Sequence, residues 1–104
     1  MSRASNVYRL LGLARRAGAV AHGTEGVRQS IRVGEARLVL LAGDASPAQL
    51  DKIRRTMRSR PVPEVSIGDR VGLGAAVGLA PISAVAVTSS PLADRVLAEL
   101  GAED

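Results

Sequence analysis

The sequence predicts an α/β fold, built as a single-domain three-layer α/β/α sandwich with a small mixed, parallel-rich sheet. Segments with helical spacing of apolar residues alternate with short apolar runs that are typical of buried strands. No repeat, linker or low-complexity segment divides the chain, so we expect one domain over residues 1–104. Its 46% apolar content allows a hydrophobic core that needs no disulfide bond or metal ion to stabilise it.

The first two predicted helices share one pattern, an apolar stripe with arginines on the rest of the surface. Apolar spacing predicts a helix over 5–17, which Gly18 would end. A second helix is predicted over about 24–33, with the Thr24 hydroxyl as its cap. The stripes indicate that both helices lie against the sheet.

The rest of the chain continues the alternation of strands and helices. Residues 37–43, "RLVLLAG", are almost continuously apolar, as expected of a strand covered on both faces. Ser46 and Pro47 then mark the start of a third helix, as N-cap and first helical residue. Its basic residues are expected to face solvent: Lys52, Arg54, Arg55 and Arg58. Two strands, over 62–68 and 82–89, and two helices, over 69–78 and about 91–100, complete the pattern.

Positive charge is concentrated in the first part of the chain. Of the 14 basic residues 13 are arginine, and Lys52 is the single lysine. Residues 1–60 carry 12 basic and 4 acidic groups, whereas residues 61–104 carry 2 basic and 6 acidic groups. This asymmetry favours a polyanionic partner. The alternative is a solvated basic surface that has no partner.

The residue types that are rare or missing exclude several classes of protein. Tyr8 is the only aromatic residue, so a platform that stacks RNA bases on aromatic rings is excluded. The chain has no cysteine, which excludes disulfides and thiolate chemistry. No apolar run approaches the length of a bilayer span and no signal-peptide core is present, so a soluble cytoplasmic protein is expected.

Signals for catalysis are weak, and we expect no catalytic residue, no metal and no cofactor. His22 is the single histidine and is interpreted as a surface or capping residue. Asp44 follows a buried strand, where α/β folds bind ligands, but it can equally orient the turn before Pro47. The glycine-rich stretch 72–78 lacks the lysine and the strand–turn–helix context of a phosphate loop.

Five segments occur in an order and spacing that resemble a known family. They are "LLGLARRAG", "GEARLVLLAGDAS", "VPEV", "LGAAVGL" and "AVAVTS". Together they resemble the ribosomal-protein L-seven-Ae family, most of all its small bacterial YlxQ-like members, over about residues 5–98. The resemblance implies the three-layer α/β/α fold. For the best-understood members it also implies binding to kink-turn RNA, a sharply bent duplex with tandem sheared G·A pairs.

The resemblance also implies where RNA would bind. In that family the second helix begins Gly-Thr-Asn-Glu-x-x-Lys, and its Asn, Glu and Lys contact the guanines of the sheared pairs. A gapless alignment matches Gly23 and Thr24 and puts Glu25, Gly26 and Gln29 at those three contact positions. Shifting this alignment by one residue would need an insertion within the helix, so the shifted alignment is rejected. The contact triplet is therefore altered in this chain.

Further residues complete the expected RNA site. Arg28 and Arg32, four residues apart, are expected to contact phosphates on one flank of the helix. The resemblance further implies an aliphatic loop that covers a flipped-out nucleotide, here with Leu79, Ala80 and Pro81. The alternative for this stretch is a simple helix–strand turn.

These observations predict a non-catalytic RNA-binding protein that contacts kinked or otherwise structured RNA through the start of the second helix and the adjacent loop. The expected partner is ribosomal or non-coding RNA within a ribonucleoprotein, with association to the ribosome or a translation factor. We expect a monomer that does not contact membranes. The alternative is a protein-interaction module of the same fold with degraded kink-turn recognition. An enzyme acting on a small anion near Asp44 or Gly72–Gly78 is the third hypothesis.

Overall fold

The computed structural model describes residues 3–101, in which five helices alternate with four strands. In chain order these are α1 (Arg3–Arg16), β1 (Val20–His22), α2 (Gly23–Arg32), β2 (Leu38–Leu41), α3 (Pro47–Met57), β3 (Glu64–Ser66), α4 (Arg70–Ala76), β4 (Ala84–Val87) and α5 (Ser90–Gly101). The domain was predicted over 1–104, and residues 1–2 and 102–104 lie outside the described residues. Within residues 3–101 no helix has the length and apolar character needed to cross a membrane.

The four strands form one mixed sheet in the order β1-β4-β2-β3. The expectation of a parallel-rich sheet is wrong, because β2–β3 is the one parallel pair and β4 runs antiparallel to both of its neighbours. The reason lies in the segment after α4. It returns along the helix to its start, where the Ile82 N–H donates to the Arg70 carbonyl at 3.1 Å. Consequently β4 starts at the edge where β3 ended, and it lies between β1 and β2 with the opposite direction.

Helices cover both faces of the sheet, which confirms the three-layer prediction. Alternate residues of β2 enter different cores: Leu38 and Leu40 pack with α1, α4 and α5, whereas Val39 and Leu41 pack with α2 and α3. All four side chains are buried. Fully burying such a side chain stabilises a fold by about 1.5–3 kcal/mol. The sheet is therefore fixed between two separate apolar layers.

The end of α1 shows how local sequence directs the chain into the sheet. Gly18 has a φ of +72°, the left-handed conformation that glycine adopts without strain. The Ala19 N–H donates to the Ala14 carbonyl at 2.8 Å, and the Gly18 N–H donates to the Arg15 carbonyl at 3.0 Å. This pair of bonds is a Schellman motif, and it confirms the predicted stop at Gly18.

Candidate nucleic-acid interface

The loops that could form a binding site lie together at one edge of the sheet. In the strand register His22 is opposite Val85, and Leu41 is opposite both Ala84 and Ser66. Consequently the ends of β1, β2 and β3 and the start of β4 lie at the same edge, which we call the loop edge. The start of α2 and the segment that precedes β4 are neighbours there, because adjacent strands are about 4.8 Å apart.

The start of α2 has no side-chain cap. The helix begins at Gly23, directly after β1, and its N-cap is His22 in an extended conformation whose side chain makes no capping hydrogen bond. Gly23 makes the sharp entry possible with a φ of +77°. The prediction that the Thr24 hydroxyl caps the helix is wrong, because the helix starts one residue earlier and Thr24 lies within its first turn.

Three other helices satisfy their first N–H groups with side chains. The Ser46 hydroxyl accepts from the Gln49 N–H at 3.3 Å, which confirms the predicted start of α3. Asp69 accepts from the Gly72 N–H at 2.7 Å at the start of α4. Ser89 accepts from the Leu92 N–H at 3.3 Å at the start of α5. The start of α2 therefore differs from these, because within residues 3–101 its N-cap side chain accepts no hydrogen bond from the first turn.

The first turn of α2 is also uncovered. A Cβ atom added at Gly23 or at Gly26 would meet no heavy atom within 4 Å. A partner can thus approach the backbone closely at these two positions. The positive end of the helix dipole adds to the attraction for an anion or a base acceptor.

The loop predicted to cover a nucleotide lies at the same edge. The Leu79 N–H donates to the Gly74 carbonyl at 2.8 Å, and the Ala42 N–H donates to the Ser83 carbonyl at 2.9 Å, so both ends of the loop are fixed. Leu79 is half-buried and packs against the core, whereas Ala80 and Pro81 are exposed. The exposed apolar surface of the loop thus comes from these two residues.

Glu25 and Arg28 form a pair on the side of α2 that faces α3. Arg28 Nη1 lies 2.9 Å from Glu25 Oε2, and Arg28 Nε donates to the Thr56 hydroxyl at 2.9 Å. The Arg28 side chain is 23% exposed and that of Glu25 is 68% exposed. The hydrogen bond from Arg28 lowers the pKa of Glu25, and the charges of Arg28, Arg32 and Lys52 act in the same direction. Glu25 is therefore an exposed carboxylate that is oriented by its neighbour.

The predicted site residues of α2 do not share one face. Gly26 and Arg28 are two residues apart, so they point about 200° apart around the helix axis. Gln29 and Arg32 are exposed and continue from Gly26 at intervals of three residues along the solvent side. Because each interval of three residues turns by about 60°, Arg32 lies about 120° from Gly26 and about 40° from Arg28 around the helix axis. Gln29 therefore lies between Gly26 and Arg32, and both Arg28 and Arg32 are turned toward α3.

Two other segments considered from sequence have structural roles. Asp44 Oδ1 accepts from the Arg70 N–H at 2.8 Å, so it ties the turn between β2 and Pro47 to the start of α4. A Cβ at Gly72 would lie 2.7 Å from the Tyr8 hydroxyl, and one at Gly74 would overlap the Ala80 carbonyl oxygen. Gly72 and Gly74 thus permit close packing. Across residues 3–101 no group of three His, Asp or Glu side chains is placed to hold a metal ion.

The sequence did not identify the arginines that α3 brings beside α2. Arg55 was predicted to face solvent, and it is exposed, but neither it nor Arg60 was assigned to a site. Together with Arg28 and Arg32 they line one open depression between the two helices. The only signal in the sequence was the density of arginine in 54–60, whose relation to α2 depends on the tertiary fold.

These features define a small three-layer α/β/α protein with an open, basic surface at the start and along the side of α2. The chain belongs to the Ribosomal protein L7Ae/L30e/S12e/Gadd45 family, whose profile matches residues 5–96. This confirms the family resemblance seen in the sequence.

Individual relatives are similar over most of the chain. It is 36% identical over 93 residues to the RNA-binding protein YlxQ of Bacillus subtilis (strain 168), covering 89% of this chain and 93% of that protein. It is 38% identical over 71 residues to the large ribosomal subunit protein eL8 of Picrophilus torridus, covering 67% of this chain and 56% of that protein.

Solved structures share the fold. A protein with unknown function from Bacillus halodurans superposes with a TM-score of 0.84 and 28% identity, covering 91% of this chain and 96% of that one. The Giardia lamblia 15.5kD RNA binding protein superposes with a TM-score of 0.78 and 23% identity, covering 98% of this chain and 88% of that one. The second likeness concerns the fold alone.

Proposed function

We propose that this protein is a non-catalytic RNA-binding protein that contacts structured RNA at the loop edge. The observation that carries the proposal is the uncapped and uncovered start of α2 beside the exposed part of the 79–81 loop. Family membership and the name of the relative YlxQ support the same function. The high arginine content of the first 60 residues supports RNA binding on electrostatic grounds, because RNA is a polyanion.

The chemistry of the α2 start suits RNA. Free N–H groups of the first turn donate to phosphate oxygens or to acceptors on base edges. Because Gly26 has no side chain, the RNA can approach the backbone closely. Gln29 offers both a donor and an acceptor to a base edge, and Arg32 offers a charged fork to phosphate. Base reading and phosphate binding are thus provided by neighbouring parts of the helix surface.

The 79–81 loop supplies an apolar contact next to the start of α2. Ala80 and Pro81 are exposed, and Leu79 anchors the loop in the core. With no aromatic side chain to stack on, an unstacked nucleotide would be covered by aliphatic atoms instead. We propose a kink-turn as the RNA, in ribosomal or non-coding RNA, with this protein as a cytoplasmic monomer that associates with the ribosome or a translation factor.

The test is a comparison of two RNA duplexes of equal length. One contains a kink-turn with tandem sheared G·A pairs and the other is straight, and binding is followed by fluorescence anisotropy at several salt concentrations. We expect tighter binding to the kinked duplex at every salt concentration. Equal affinity for both, with strong salt dependence, would contradict recognition of the kink and leave phosphate binding alone.

A second candidate function is a protein-interaction module of the same fold. It is favoured by the altered contact triplet, in which Gly26 carries no carboxylate and Glu25 is paired with Arg28. A pull-down from cell extract with and without RNase distinguishes the two functions. Partners that survive RNase treatment favour the protein module, and partners lost on treatment favour RNA binding.

A further inference from the structure

A basic depression lies beside the α2 start, on the face of the molecule formed by α2 and α3. It is open to solvent, has a volume of about 460 Å³ and is lined by arginines of both helices together with two hydroxyl groups. We call it the arginine groove: Arg28, Arg32, Arg55, Thr56, Ser59 and Arg60. Only Arg28 and Arg32 belong to the RNA site predicted from the sequence.

The groove has positive charge that the protein itself does not neutralise. Arg28 is paired with Glu25, but across residues 3–101 no carboxylate forms an ion pair with Arg32, Arg55 or Arg60. These guanidinium groups are therefore available to an anion. Arginine presents a planar fork of donors that matches the oxygen atoms of a phosphate better than the ammonium group of lysine does.

The groove is also partly preorganised. The Thr56 hydroxyl accepts from Arg28 Nε at 2.9 Å and donates to the Lys52 carbonyl at 3.0 Å, so it fixes Arg28 against α3. At the far end, a Cβ added at Gly34 would lie 2.7 Å from Arg60 Nη1, which places this guanidinium over the turn that follows α2. The negative ends of both helix dipoles lie nearby and offset part of the repulsion between the arginines.

We infer that the arginine groove binds the phosphate backbone of the RNA stem next to the segment held at the loop edge. The inference rests on the proposed function and extends it by a second contact surface on α3. Arg32 connects the two surfaces, because it is the neighbour of Gln29 one turn along the helix and also lines the groove. The distance along α2 from Gly26 to Arg32 is about 9 Å, so one RNA molecule can reach both surfaces.

The groove touches phosphates and no base edges, so its contribution does not depend on the shape or sequence of the RNA. The double variant R55A/R60A should therefore weaken binding to the kinked and the straight duplex by the same factor, about ten-fold at low salt. It should also reduce the slope of log affinity against log salt by about 2, since each phosphate contact contributes about 1. The preference for the kinked duplex should remain unchanged.

The matched control is R16A/R95A, which removes the same charge from exposed positions of α1 and α5, on the opposite face. It should change affinity and slope much less. The inference is overturned if the two double variants bind alike, or if R55A/R60A weakens binding to the kinked duplex only. If the unaltered chain binds neither duplex, the proposed function fails and the inference fails with it. Thermal melts followed by circular dichroism compare the folding of the variants.

Discussion

The two helical layers use their polar groups differently. In the α1/α4/α5 layer, Asn6 Nδ2 donates to Glu99 Oε1 at 2.6 Å between α1 and α5, and Arg15 donates to the Val77 carbonyl after α4. In the α2/α3 layer several arginines have no partner among residues 3–101: Arg32, Arg55, Arg58 and Arg60. Side chains join helices in both layers, since Arg28 Nε also donates to the Thr56 hydroxyl between α2 and α3. The second layer differs in the group of unpaired arginines that it leaves for a partner.

The comparison indicates that stability and binding are assigned to different faces of the sheet. Exposed ion pairs contribute only about 0–1 kcal/mol to stability, so leaving arginines unpaired has little effect on folding. Burial of apolar residues such as Val27 and Ile31 holds α2 to the sheet without help from surface charge. The outer surface of α2 and α3 is consequently free to be selected for recognition.

Two helical glycines, one in each layer, give the largest expected contrast. Gly74→Ala should lower the free energy of unfolding by about 3 kcal/mol, because the added Cβ overlaps the Ala80 carbonyl oxygen. Gly26→Ala should raise it by about 0.5–1 kcal/mol, because the site is open and alanine favours helix. Denaturant unfolding of both variants measures the difference. Equal effects at the two positions would contradict the close packing of the 79–81 loop on α4.

Gly26→Glu tests the binding role of the α2 start. A carboxylate restored at this position should increase the preference for the kinked duplex about ten-fold, since one bidentate base contact contributes about 1–3 kcal/mol of discrimination. Gly26→Gln is the control of matched size without charge. Anisotropy titrations with both duplexes give the ratio of affinities. A gain that is equal for the two substitutions would contradict recognition by the carboxylate.

Glu25→Gln tests the carboxylate that is paired with Arg28 at the arginine groove. Removing its negative charge should strengthen binding to the straight and the kinked duplex by the same few-fold factor, because Arg28 is then available to phosphate. The preference for the kinked duplex should remain unchanged. Asp51→Asn, at an exposed position of α3, removes a similar charge without touching Arg28 and serves as the control. Unchanged affinity for both duplexes in Glu25→Gln would contradict the idea that the pair withholds Arg28 from phosphate.

The smallest expected effect concerns the pKa of Glu25. The folded-state pKa is lowered mainly by the hydrogen bond from Arg28, so the pair contributes stability above the ordinary pKa of glutamate and loses it as the pH falls through the lowered value. Arg28→Ala should therefore raise the titration midpoint of Glu25 toward its ordinary value. A carboxyl carbon NMR titration of both chains measures the change. An unaltered midpoint would mean that the ion pair does not form in solution.

Local sequence patterns were sufficient for most of the elements and for the core, but they did not predict the strand β1 or the contacts between distant segments. The spacing of Val27 and Ile31 and the apolar run 38–41 fix buried faces within a few residues, and the structure confirms them. The direction of β4 depends on how the chain returns after α4, which no local pattern encodes. The bond between Arg28 and Thr56 joins residues 28 apart in the chain, so the arginine groove became visible only in the fold.

The proposed RNA site can be tested by following backbone N–H signals in a ¹⁵N NMR titration with the kinked duplex. If the uncapped start of α2 is the RNA-binding site, the largest changes in chemical shift occur at Thr24, Glu25 and Gly26. Further changes occur at Leu79 and Ala80. The same titration with the straight duplex should perturb these five signals much less. Changes confined to α1 and α5, or none at the α2 start at saturating RNA, would contradict the proposal.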